Sequence, residues 1–185
     1  MIESGLNKLS WGFLFIMLSF RVQGFDIFPD IVGFILFALA FNELKEKSEF
    51  FKKASKFNFF MIIMSIFLIY QPTNVNGMIN YGYTGMFSIP IAIISIVLTL
   101  LIIYNLFKGM KEMLKQYEKY DLANEAEERW SKYKALTIAY IFILIVVFIP
   151  LINLIYLLGL IILNIIFLVK TIKYINRCKQ CLIYN

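Results

Sequence analysis

The chain contains no histidine and only two cysteines in 185 residues. Without imidazole, haem ligation by histidine, most zinc sites and every histidine-based catalytic arrangement are excluded. The two thiols, Cys178 and Cys181, form a C-x-x-C within the last eight residues. One such pair cannot complete a tetrahedral zinc site, and it lacks the strand-then-helix setting of a thioredoxin-type motif. A reduced, inert tail is expected, with no metal and no cofactor. No Walker lysine loop or G-x-S-x-G elbow occurs either, so no catalytic residue is assigned.

Charge is scarce as well. Charged residues make up 16% of the chain, hydrophobic residues 61%, and the mean hydropathy is +0.76. In soluble domains about a quarter of residues are charged. A core of this size cannot hide so much Phe, Ile and Leu, so lipid must solvate the remainder. Between Asn58 and Phe107, and again between Ala135 and Val169, no acid or base occurs apart from tyrosine. Intramembrane carboxylates and bases mark proton relays, ion coupling and voltage sensing. Their absence argues against a proton- or sodium-driven antiporter, a redox carrier and an intramembrane metalloprotease.

The charge that is present is concentrated. Seventeen of the eighteen Lys and Arg residues fall at Lys8, in residues 45–56, in residues 108–134 and in the tail from Lys170 to Lys179; only Arg21 lies elsewhere. Basic residues accumulate in cytoplasmic loops, so the alternation predicts an N-in, C-in topology. The net charge of +6 flanks apolar segments, as contact with anionic headgroups requires, and does not point to nucleic acid. No small-x-small cleavage site follows the first apolar run, which Arg21 interrupts, so that run is read as a membrane helix rather than a signal peptide.

The expected fold is all-α: a polytopic integral membrane helical bundle, one transmembrane domain over residues 1–185. Its six transmembrane helices are placed at about 6–22, 29–44, 57–71, 86–107, 135–149 and 151–173. Pro150, with Asn153 after it, marks the turn that divides the last long apolar stretch. Pro29, Pro90 and Pro150 precede Asn42, Asn105 and Asn164 by 13, 15 and 14 residues, and a lysine follows each asparagine. Three related hairpins fit this spacing, and so do the shared demands of helix ends.

Residues 108–134 form the one substantial polar segment, with seven basic and six acidic residues. They read as helical extensions on either side of a turn at Asp121–Asn124, laced by i,i+4 charge pairs, with Met110, Met113 and Leu114 on one side. The alternative is a docking surface for a cytoplasmic or membrane protein partner. Trp130 and Tyr133 suit the membrane interface.

Arg21, Asp26 and Asp30 are the only charged residues on the predicted outer side. They read as a capped, ion-paired helical turn or as a polar site at the outer mouth for a cation or a solute with an amino group. Gly24 and Gly33 would let backbones approach there. Ser88, Ala92, Ser95 and Thr99, spaced 4, 3 and 4, put small and hydroxyl side chains on one helix face. That face suits helix packing or the lining of a solute path, and Asn105, Asn153 and Asn164 share the ambiguity. The uncharged segment 71–85, with Tyr70 before it, fits an interfacial aromatic belt or a lid over a neutral ligand.

In size and six-helix outline the chain resembles the vitamin-binding S components of energy-coupling transporters. Their Ala-x-x-x-Ala docking pattern is missing, because residues 6–22 contain no alanine. Three function classes follow. The first is a solute-binding or transport-related subunit working with a partner through residues 108–134. The second is a non-enzymatic accessory, immunity or assembly protein of a membrane complex. The third is an interfacial lipid-acting enzyme that would use Asp26 and Asp30. The Ile-, Lys-, Phe- and Asn-rich composition is that of AT-rich coding sequence, which places the chain in a bacterial inner membrane.

Overall fold

A computed structural model describes residues 2–18, 21–22, 25–26, 30–68, 88–146 and 148–183. The described chain is all-α, with six helices in the expected order. These are α1 (Ile2–Met17), α2 (Asp30–Leu44), α3 (Glu49–Leu68), α4 (Ser88–Gln116), α5 (Tyr120–Val146) and α6 (Pro150–Ile183). Between α1 and α2, β1 (Arg21–Val22) and β2 (Phe25–Asp26) make a two-residue antiparallel pair, with Arg21 opposite Asp26.

The helix ends follow local chemistry. The Ser48 hydroxyl accepts from the Phe50 amide at 3.1 Å, and Glu49 occupies the first turn of α3. This cap starts the helix eight residues before the apolar run at Phe57, because a polar first turn needs no lipid. Pro150 opens α6, where its missing N–H costs nothing. The connection between α4 and α5 lies at residues 117–119 rather than at Asp121–Asn124. Asp121 instead sits in the first turn of α5, where the helix dipole favours a carboxylate. Glu118 takes φ 58°, and the Lys119 amide donates to Leu114 O at 2.9 Å, closing α4 with a left-handed residue.

Each helix packs mainly on its neighbours in sequence, and α6 returns to α1, so the six form an up-and-down ring. The basic end of this ring is filled with aromatic side chains. Phe13 meets Phe37 edge-on at 5.2 Å and Phe107 at 6.0 Å; Phe107 in turn lies 6.5 Å from Tyr174. Phe41 and Phe51 stack at 6.3 Å. All six rings are almost fully buried. Each such pair contributes about 0.5–1.5 kcal/mol beyond simple burial.

Two helices, α4 from Pro90 to Gln116 and α6, are long and apolar enough to cross a membrane. At 16 and 15 residues, α1 and α2 extend only about 24 and 22 Å, less than the ~30 Å hydrocarbon core. Asn164, well inside α6, donates to Met17 O at 3.4 Å, so α1 ends about 20 Å short of the far end of α6. The long helices carry a continuous apolar exterior. Ile93, Ile96, Ile141, Ile145, Leu154 and Ile161 are each at least 40% exposed, far more than a soluble surface tolerates in one band.

Candidate functional site

On the side of the ring away from the lysines lies a partly open cavity of about 780 Å³. Five helices contribute to it: α1 through Ile16, α2 through Asp30 and Phe34, α3 through Met61, α4 through residues 92–100 and α5 through residues 133–143. The walls are mostly apolar. Polar groups enter at Asp30, Ser95, Thr99, Tyr133, Thr137 and Tyr140. A mostly apolar chamber with a few convergent polar groups is the usual form of a small-molecule site.

Two groups of residues that are far apart in sequence meet here. Asp30, the first residue of α2, lines the same cavity as Ser95 and Thr99 of α4. Asp30 opens α2, and the cavity it lines extends along α4 as far as Thr99 and Leu100, twelve and thirteen residues into that helix. Asp30 also interacts electrostatically with Tyr133. At the head of α2 its carboxylate complements the helix dipole.

The hydroxyls present acceptors rather than donors. Ser95 donates to Ile91 O at 2.8 Å, Thr99 to Ser95 O at 2.8 Å and Thr137 to Tyr133 O at 3.0 Å. Their protons are spent within their own helices, and their lone pairs remain. Thr99 also approaches Met61 Sδ at 3.9 Å, so part of the small-residue face packs on α3.

Asn105 does not reach the cavity. It is buried near the basic end of α4 and donates to Leu101 O at 2.7 Å. The amides of Asn58 and Asn164 find other helices. Asn58 donates to Phe34 O at 2.7 Å, and Asn164 donates to the Tyr140 hydroxyl at 2.8 Å. The side chains of Arg21, Asp26 and Ser88 lie outside the described residues, as do Gly24, Tyr70 and segment 71–85. The chain matches no family model, no curated protein and no solved structure.

Tyr133, Thr137 and Tyr140 were not singled out by sequence reasoning as site residues. Their spacing of 4 and 3 places three hydroxyls on one face of the mostly apolar second half of α5, and that stripe is the signal that points to them. Gly33 does permit close approach, but between helices. A Cβ there would lie 2.9 Å from Gly12 O and 2.5 Å from Ile16 Cγ1, so glycines at both positions let α1 and α2 meet beside the cavity.

Residues 108–134 are folded back on the ring. Lys108 and Lys111 of α4 both pair with Glu127 of α5, and Glu125 with Arg129 and Glu128 with Lys132 form the expected i,i+4 pairs. Lys111 holds the Glu127 carboxyl below its ordinary range, and Lys132 does the same for Glu128. Met110, Met113 and Leu114 are fully buried. Glu112 accepts from Ser48, and Gln116 donates to Lys47 O at 3.2 Å. Much of this segment's polarity is therefore engaged within the chain.

Proposed function

We propose that this chain is a bacterial inner-membrane protein that binds a small solute bearing an amino group and an apolar body. All six helices enter the lipid from the cytoplasmic side or return to it, with both termini and residues 108–134 inside. This topology holds whatever depth the α1–α2 hairpin reaches, because a hairpin returns to its own side. The central cavity supports the reading most directly. Its wall carries one carboxylate, Asp30, with acceptor oxygens from Ser95, Thr99 and Thr137 and the rings of Tyr133 and Tyr140, a set that suits a cationic head on an apolar body. A cavity with this lining suits a solute-binding or transport subunit working with a partner. An accessory role through residues 108–134 ranks second, since their charges are largely paired within the chain.

The test compares benzylamine and butylamine with benzyl alcohol and butanol by isothermal calorimetry on the detergent-solubilised protein. The amines should bind and the alcohols should not. Asp30→Asn should weaken amine binding by about 1.5–3 kcal/mol, roughly ten- to hundredfold. Equal binding of amines and alcohols, or unchanged binding by Asp30→Asn, would overturn the reading.

A further inference from the structure

A second cavity, of about 310 Å³, lies in the groove between α5 and α6 at the basic end. Arg129, Lys132 and Lys170 line one end of it. Arg129 is only 7% exposed, although it is an arginine at the polar end of the molecule. Its Nη2 donates to Glu125 at 2.7 Å, but Nε and Nη1 are buried and have no hydrogen-bond partner. Buried donors left unmatched are costly, and a guanidinium favours anionic oxygens such as those of a phosphate.

The surrounding charges favour an anion. Glu125 is shared between Arg129 and Arg177, and Glu128 pairs with Lys132. Lys170 acts electrostatically on Glu128. Four cations (Arg129, Lys132, Lys170, Arg177) thus face two carboxylates, leaving two positive charges over. Beyond the cationic end, the groove runs between the small side chains of Ala135 and Ala139 and the apolar Leu163, Ile166 and Phe167. It leads away from the lysines toward the exposed apolar band of α5 and α6. A ligand that satisfies both ends carries an anionic group such as a phosphate and a hydrocarbon chain.

We infer that the α5–α6 groove is a specific site for an anionic glycerophospholipid, with the phosphate on Arg129, Lys132 and Lys170 and an acyl chain along Ala135 and Ala139. Basic pockets between helices at the cytoplasmic face are suited to such headgroups. The inference rests on the membrane reading but not on the Asp30 cavity. Native mass spectrometry of the whole protein in mild detergent tests it with three probes: dioctanoyl-phosphatidylglycerol, dioctanoyl-phosphatidylcholine and inorganic phosphate. One phosphatidylglycerol should bind per chain, more tightly than either other probe. Lys132→Gln with Lys170→Gln, both exposed positions, should weaken it about tenfold or more. Arg129→Lys, which keeps the charge but loses the planar guanidinium donors, should also weaken it. Asp30→Asn should leave lipid binding intact, so a failed amine assay does not bear on this site. Equal retention of phosphatidylcholine, equal binding of inorganic phosphate, or no response to the double substitution would overturn the inference.

Discussion

Two glycines and two cysteines show how much a single side chain decides in this ring. At Gly33 the space for a Cβ is already taken by Gly12 O and Ile16. Gly33→Ala should force α1 and α2 apart and destabilise the protein by about 1–3 kcal/mol, seen as a lower melting temperature in detergent. A melting temperature at or above that of the parent protein would contradict the close crossing. The cysteines differ by burial. Burial pushes the Cys178 thiol up to about 12, while Cys181 is only half-buried. Because the thiolate is the reactive form, Cys178 should stay unalkylated through pH 8–10 and gain reactivity only as pH approaches its raised value. Iodoacetamide should therefore label one site per chain at pH 8, and Cys181→Ser should abolish that labelling.

At the scale of the element, the apolar pattern anticipates six helices, and several of the described helices run past the apolar segments that mark them. Apolar runs report where a helix is greasy, not where it stops. The cap at Ser48, the polar last turns of α4 and the tail of α6 lie beyond the runs and carry ordinary helix-forming residues. The turn between α4 and α5 was hidden for a related reason. Asp and Asn suit a loop and a first helical turn equally well, whereas the residue that turns the chain is a glutamate in an uncommon conformation. Glu118→Gly should remove that strain and raise stability by about 1 kcal/mol, a shift of a few degrees in thermal unfolding. The site was half legible. Asp30 stood out by its isolation and Ser95 with Thr99 by their spacing, yet only the ring brings them together. Asn105 has the same residue chemistry as the other intramembrane amides, but its partner, Leu101 O, is in its own helix, which spacing alone cannot reveal.

For the whole molecule, the proposed orientation rests on the separation of lysine-rich and apolar ends. Cys181 lies at the lysine-rich end with the tail of α6. In intact cells a membrane-impermeant maleimide should leave Cys181 unlabelled, and permeabilisation should expose it. Labelling without permeabilisation would reverse the proposed topology. The molecule also links its ends through polar ties that bridge α1 and α6, with Lys179 donating to Asn7 at 3.0 Å and Asn164 to Met17 O. Because these contacts join the first and last helices, their loss should open the ring at one seam rather than loosen it evenly.

The buried aromatic cluster at the basic end has a kinetic consequence. Phe13, Phe107 and Tyr174, contributed by three different helices, pack together with almost no exposure and fill that end of the ring. Anything that travelled through it would wait for those rings to part. Such collective rearrangements take microseconds to milliseconds, so turnover would saturate at low rates, vary steeply with temperature and never register as single-channel current in a planar bilayer.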